Sequence, residues 1–203
     1  MRHLIAQKLL PRLQEAPGLG RIVDVAAGAH EGEFDINDRE GERCGQAKLR
    51  GHLGTTKTLA WQKLSEQAPD VSIVTAFPGL VATPIFSRLI GLLGALFRAY
   101  VWLFGWLLAV PLDECADRHV YMSTSSSFAA KGREPQGVPL VDGDAVHVGI
   151  DGEAGSGVYS VDWDNEGPGH KIQTLLQTYS GDGTSDHIWE WIQGEYRRIL
   201  GDV

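Results

Sequence analysis

One apolar segment, residues 71–77, constrains the fold of this chain more than any other feature. Its sequence, VSIVTAF, is almost continuously apolar, and it ends at Pro78-Gly79. Such a segment is typical of a strand in a parallel sheet that is buried on both faces. Because parallel neighbours need crossover connections, usually helices, the segment predicts an α/β fold.

The remaining sequence supplies partners for this strand. Apolar residues at helical spacing predict helices at residues 2–15, 49–67 and 185–200, and another that begins at Asp113. In the last helix, the core-facing residues are predicted to be Ile188, Trp191, Ile192, Tyr196 and Ile199. Further strands are predicted at residues 21–27 and 157–163, and a Gly- and Pro-rich hairpin is predicted over residues 132–157. We expect one domain over 1–203, comprising a sheet-bearing part (1–88), an apolar helical lid (89–130), and a C-terminal part (131–203) with the hairpin, the late strand and helices.

Composition excludes several classes of function. The 203 residues have a formal net charge of -8, and the 18 basic residues form no stripe, so we expect no nucleic-acid partner. Cys44 and Cys115 are far apart, with neither disulfide-framework nor zinc-ligand spacing between them, so we expect no metal site. Polar residues interrupt the apolar start, which argues against a signal peptide. These features predict a metal-free protein in a reducing, cytoplasmic setting.

The stretch 89–112 leaves two structures open. Its sequence, LIGLLGALFRAYVWLFGWLLAVPL, has the length of a membrane span and contains Arg98 as its one charged residue. Three glycines divide it, which favours two short helices that flank an apolar pocket. We expect a helical lid, with association of 89–112 with a membrane surface as the alternative.

Residues 1–163 resemble the second half of the short-chain dehydrogenase/reductase fold, a Rossmann-like fold that is reduced here to a few mostly parallel strands. The segment FPGLVAT, 77–83, matches the family's P-G-x-V-x-T passage, where the chain passes the nicotinamide and pyrophosphate. The runs HVYMSTSSSF and GSGVYSVDW resemble a branch of the family that is common in fungal secondary metabolism. The resemblance implies a homodimer through the helices at 2–15 and 49–67, and the strand at 21–27 offers a further unpaired edge.

The resemblance also implies catalytic residues that this sequence lacks. Ala27 stands at the position of the family's serine, and the family's Tyr and Lys correspond to His52 and Thr56. Sliding the alignment by one residue recovers Lys57 but sets Leu53 against the Tyr. No glycine-rich dinucleotide turn precedes these elements. We therefore expect no nicotinamide binding and no cofactor.

These departures favour a cofactor-independent protein that acts on a hydrophobic small molecule, as a cyclase, isomerase or dehydratase of secondary metabolism. One alternative is an NAD(P)-dependent oxidoreductase whose first half is missing from this chain, and another is a non-catalytic binding or scaffold protein. His52 is the predicted proton-transfer residue, and His52→Ala is expected to abolish turnover without unfolding the protein. The other predicted catalytic residues are His30, beside Glu31, and Lys57. The predicted substrate contacts are Thr83, Phe97, Tyr100, Trp102, Trp106 and Tyr159.

Overall fold

The computed structural model describes residues 2–81, residues 109–201 and the single positions 91, 94, 95, 99 and 103. This part of the chain contains five named helices and three strands. The helices are α1 (Arg2–Gln14), α2 (Gln46–Ser65), α3 (Leu112–Thr124), α4 (His170–Gly181) and α5 (Thr184–Leu200). The strands are β1 (Arg21–Val25), β2 (Ser72–Ala76) and β3 (Val158–Val161).

The three strands form one parallel sheet in the order β1-β2-β3. Asp24, Thr75 and Ser160 lie side by side across it. The sheet with its flanking helices confirms the predicted α/β, reduced Rossmann-like fold. Because the strands are parallel, all three end at the same side, which we name the carboxyl edge; the opposite side is the amino edge.

The two faces of the sheet bury different sets of helices. Ile73 and Val158 face a core formed with α1, α2, α4 and α5, in which Trp61 is almost fully buried. Val74 and Tyr159 face the opposite side, where they pack with Met122 of α3 and with Phe128. Alternation along each strand therefore places the sheet between two helical layers.

Arg21 fastens α3 to the amino edge. Its guanidinium donates hydrogen bonds to the carbonyl oxygens of Met122 (2.9 Å), Ser125 (2.8 Å) and Phe128 (2.5 Å). Its Nε donates to Ser72 Oγ at 2.7 Å. Burial lowers the pKa of Arg21 to about 10, although the group keeps its charge at neutral pH.

Several predicted elements differ in detail from the structure. The predicted hairpin is represented by an isolated antiparallel bridge, Val148 to Ala154, rather than by paired strands. Helix α4 was not predicted as a separate helix. The prediction that Ile199 faces the core was wrong, because that side chain is 66% exposed in the last turn of α5. Ile188 and Ile192 make core contacts as predicted, and Trp189 packs there as well.

Most of the predicted lid at 89–112 lies outside the described residues. Among the residues that are described, no helix is both long and apolar enough to cross a membrane. The predicted homodimer stays a prediction. The helices assigned to it expose Ile5, Leu9 and Leu53, each at least 43% exposed.

Candidate functional site

The loop after β1 crosses the carboxyl ends of β2 and β3. A Cβ atom on Gly28 would lie 2.2 Å from Thr75 O and 2.5 Å from Val161 O, so this approach requires glycine. The amide of Ala29 then donates to Ser160 Oγ at 2.7 Å. The loop is thereby seated on the strand ends, and the residues that follow it are held at the carboxyl edge.

The same loop is attached to α2 through Gly32. Its amide lies 3.0 Å from Gly51 O and 3.0 Å from Thr55 Oγ1. The Thr55 hydroxyl donates to Gly32 O at 2.5 Å. The two glycine backbones lie close together, since a Cβ on Gly51 would lie 3.0 Å from Gly32 Cα. Attachment at both ends leaves His30 and Glu31 in defined positions.

Glu31 is a buried acid at this edge, with 4% of its surface exposed. Its Oε1 accepts hydrogen bonds from Ser160 Oγ at 2.5 Å and from Thr58 Oγ1 at 2.7 Å. Its Oε2 is buried without a partner among the described residues. Burial raises the pKa of the carboxyl above its ordinary value of 4.5, and the two hydroxyl donors only partly oppose that shift.

His30 is the second titratable group of the loop. Its Nδ1 lies 2.8 Å from Gly28 O, to which it donates, and 3.9 Å from Asp162 Oδ1. Its ring meets Phe77 edge-on, with the ring centroids 4.6 Å apart. Within the described part of the chain, Nε2 makes no hydrogen bond. An imidazole oriented through Nδ1 with a free Nε2 has the geometry of a general acid or base.

These residues border an open cleft of about 880 Å³ between the β1 loop and the first turns of α2 and α4. Its cationic residues are Lys48, Arg50 and Lys171. Arg50 stacks over Phe77, with Cζ 4.2 Å from the ring centroid. Glu33 lies 3.7 Å from Lys48, and both side chains are exposed. The cleft therefore combines charge, a titratable imidazole and a buried acid.

His52 lies under a different loop. Its ring is 2% exposed and stacks on Phe34 at a centroid distance of 4.9 Å. Nδ1 accepts from the Asp35 amide at 3.4 Å, and Nε2 donates to Arg39 O at 3.0 Å. Both nitrogens thus hold the backbone of the loop between β1 and α2. Proton transfer by His52 stays a prediction, and this geometry gives the ring a structural role.

The other predicted site residues do not join His30. Lys57 lies on the α1 side of α2, where burial lowers its pKa and the charge of Asp24 opposes that shift. Tyr159 is fully buried, and its hydroxyl donates to Ala129 O at 2.6 Å. The remaining predicted substrate contacts, Thr83, Phe97, Tyr100, Trp102 and Trp106, lie outside the described residues.

Sequence reasoning missed the residues that hold the site. Thr58 and Ser160 reach Glu31 from positions 27 and 129 residues away in sequence, so no local pattern reveals them. In the sequence, Lys48 and Arg50 are indistinguishable from ordinary exposed charged residues at the start of a helix. Gly28 was a usable signal, because a glycine directly after a parallel strand marks the edge where α/β proteins bind ligands.

The described residues do not by themselves fit the nicotinamide dinucleotide that the resemblance implies. A Cβ on Gly79 would lie 2.8 Å from Val110 Cγ2 and 2.9 Å from Trp163 Cβ, so the P-G turn packs against the protein itself. Ala27 offers no hydroxyl, and the sequence contains no glycine-rich phosphate turn. Among the described residues, no group of three or more His, Cys, Asp or Glu could hold a metal ion.

Comparison with known proteins gives three fungal relatives, while no family model matches the chain. Oxidoreductase AN1596 of Emericella nidulans is 34% identical over 194 residues, covering 93% of this chain and 56% of that protein. Oxidoreductase andH of Emericella variicolor is 27% identical over 207 residues, 100% of this chain and 60% of the relative. The NmrA-like family domain-containing oxidoreductase notO of an Aspergillus species is 27% identical over 201 residues, 95% of this chain and 53% of the relative.

The chain thus spans little more than half the length of these relatives. The match covers nearly the whole of the chain, and therefore includes the sheet, the β1 loop and the cleft. Over that length, the protein is similar to fungal proteins named oxidoreductases, which is consistent with an NAD(P)-binding, Rossmann-like superfamily.

Proposed function

We propose that this chain supplies the substrate-side part of an NAD(P)-dependent oxidoreductase. The observation that carries the proposal is its similarity, over 93% to 100% of its length, to fungal proteins named oxidoreductases. The cleft supports it independently, because parallel α/β sheets bind ligands at the carboxyl ends of their strands. The sequence-based preference for cofactor-independent chemistry becomes the second candidate.

In this proposal the chain's own residues provide proton transfer and orientation. A nicotinamide supplies hydride when bound, and its contacts would have to include residues beyond those described. His30 Nε2 donates a proton to the reacting oxygen in carbonyl reduction and accepts it in the reverse oxidation, while Nδ1 is oriented by Gly28 O. Arg50, stacked on Phe77, adds positive charge beside that oxygen.

The test is turnover with each reduced cofactor. The protein is incubated with NADH or NADPH and a panel of ketones, aldehydes and quinones, and loss of the reduced nicotinamide is followed by absorbance. We expect oxidation that depends on the carbonyl compound, reduced roughly hundredfold in His30→Gln. His187→Gln, an exposed histidine on α5, is the matched control and should behave as the parent. Absence of both cofactor binding and oxidation would overturn the proposal.

The second candidate is cofactor-independent acid-base catalysis on a hydrophobic small molecule, as in a cyclase, isomerase or dehydratase. It is favoured by a specific observation: His30 Nε2, beside a buried acid, has no hydrogen-bond partner among the described residues, which do not by themselves fit a dinucleotide. Hydrogen exchange at carbon next to a carbonyl, measured by NMR in heavy water without cofactor, tests it. Exchange that is lost in His30→Gln would support this candidate, and exchange unaffected by that variant would exclude it.

A further inference from the structure

We propose that the cleft beside the β1 loop binds an apolar small molecule through a terminal carboxylate, and that Glu31 meets this carboxylate as a neutral hydrogen-bond donor. The inference rests on the proposed function, since it names the substrate class of the same cleft. It requires positive charge in the cleft, an unpartnered acid among the residues that line it, and an apolar wall for the remainder of the ligand.

The charge of the cleft opposes that of the whole protein. The chain has a formal net charge of -8, yet Lys48, Arg50 and Lys171 all line this cleft. Helices α2 and α4 also begin here, after Gly45 and Gly169, and neither N-terminus has a side-chain cap. Uncapped amides at a helix start carry partial positive charge and bind anions. An anionic group is therefore the ligand that this region favours.

Glu31 is the independent observation that points to a ligand. It lines the cleft, is 4% exposed, and leaves Oε2 without a partner among the described residues. Two hydroxyl groups already donate to Oε1. A proton on this acid is therefore placed on Oε2, where the O–H has no acceptor within the described protein. A ligand carboxylate provides that acceptor, and burial makes the missing hydrogen bond costly to leave unmade.

Charged groups surround the cleft on each element that neighbours Glu31. His30 lies beside it in the loop, Lys48 and Arg50 come from α2, Lys171 comes from α4, and Glu33 and Asp162 oppose them. Desolvation is the dominant influence and raises the pKa of Glu31, while the charge of His30 lowers it weakly. Loss of the proton at higher pH would place two negative groups together and weaken carboxylate binding.

The apolar wall comes from α4 and from alanine side chains. Ile172 and Leu175 line one side, while Ala29 and Ala47 lie in the loop and the first turn of α2. This surface suits an alkyl or aromatic body and offers it little hydrogen bonding. A purely polar anion such as inorganic phosphate would contact the cationic residues but would leave this apolar wall exposed to water.

NMR titration of the full chain tests the proposal with three probes: sodium octanoate, neutral octanamide and inorganic phosphate. Octanoate should bind saturably, with amide shifts concentrated at Gly32, Gly51 and Ile172. Octanamide and phosphate should each bind at least roughly fivefold more weakly. Octanamide binding as tightly as octanoate would overturn carboxylate recognition, and phosphate doing so would overturn the role of the apolar wall.

Variants locate the site and the state of Glu31. Arg50→Gln and Lys171→Gln should each weaken octanoate binding roughly fivefold, whereas Lys8→Gln on the exposed side of α1 should not. Glu31→Gln keeps a donor and an acceptor, so affinity at neutral pH should stay within roughly twofold and lose its decline at higher pH. Marked tightening in Glu31→Gln would show that the parent carboxyl is ionised, which overturns the donor role.

Different experimental results would contradict this inference and the proposed function. Octanoate binding without any nicotinamide-dependent turnover would support the cleft and count against the oxidoreductase. Turnover of neutral carbonyl compounds without octanoate binding would support the oxidoreductase and overturn the inference.

Discussion

The amino and carboxyl edges of the sheet use the same kinds of side chain in opposite ways. At the amino edge, Arg21 donates to three carbonyl oxygens and a hydroxyl, and Arg133 donates to the carbonyls of Gln14, Ala16 and Gly18. At the carboxyl edge, Arg50 stacks on Phe77 at the border of an open cleft. One carboxyl oxygen of Glu31 has no partner there among the described residues.

The comparison shows that residue type does not separate structural charge from functional charge. The hydrogen-bond partners separate them. A cation whose donors are bonded to backbone carbonyls stabilises the fold, and one that borders an open cleft can bind a ligand. Four measurements would break or sharpen this distinction.

Arg21→Met should have the largest effect, because it leaves three carbonyl groups without their donor. We expect a loss of about 4 kcal/mol in the free energy of unfolding. The matched change at the other edge, Arg50→Met, removes a stacking contact and should cost less than about 1 kcal/mol. Urea unfolding followed by circular dichroism measures both, and equal losses would remove the distinction between the edges.

Gly28→Ala should come next. The added Cβ would overlap two strand carbonyls, at 2.2 Å and 2.5 Å, so the loop must lift from the strand ends. We expect a loss of about 3 kcal/mol. Gly18→Ala is the control, because no atom lies within 4 Å of its Cβ position, and it should change stability by less than about 0.5 kcal/mol. A stable Gly28→Ala protein would mean that the loop is not seated as described.

Substitutions of His52 and His30 distinguish a histidine that holds a loop from one that lines the cleft. His52→Ala removes two hydrogen bonds to loop backbone and a buried ring, and should destabilise the fold by about 2 kcal/mol. His30→Ala should cost less than about 0.5 kcal/mol and should impair turnover. If His52→Ala were as stable as the parent but lost turnover, the sequence-based prediction of proton transfer by His52 would be supported instead.

The smallest effect concerns a histidine that is closed within the core. His3 is 6% exposed and lies against Trp61, and burial lowers its pKa to about 4 from an ordinary 6.5. The unfolded chain therefore binds this proton first as pH falls, so stability is lost between those two values. We expect about 1 kcal/mol between pH 7 and pH 5.5. His3→Leu should remove that part of the pH dependence, and an unchanged profile would assign it to other groups.

Much of the fold was predictable from local patterns. The apolar run of β2 and the β-branched run of β1 both formed parallel strands, and the predicted helices at 2–15, 49–67 and 185–200 correspond to α1, α2 and α5. The ends moved by one to three residues, because helix and strand ends depend on hydrogen bonds to neighbouring elements. The exposure of Ile199 could not be predicted, because periodicity cannot show where the core beneath a helix stops.

The candidate site was predicted only in outline. The sequence predicted a polar loop after β1 and named His30 as a candidate catalytic residue beside it. Its partners were not predicted: Asp162 follows β3, and Thr58 and Ser160 reach Glu31 from α2 and β3. For His52, a position on a helix does not reveal that loop backbone groups bond both ring nitrogens. Its predicted proton transfer stays a prediction.

The sequence by itself determined the α/β class, the parallel sheet and its acidic, cysteine-poor character, because these depend on periodicity and composition within short segments. Only the tertiary structure decided that Glu31 is buried, that three cations line one cleft, and that, within the described part of the chain, Glu31 Oε2 and His30 Nε2 have no partner. Parallel strands bring together residues that are distant in the chain. Desolvation and partner geometry, which set what those residues can do, arise only once the strands and helices have packed.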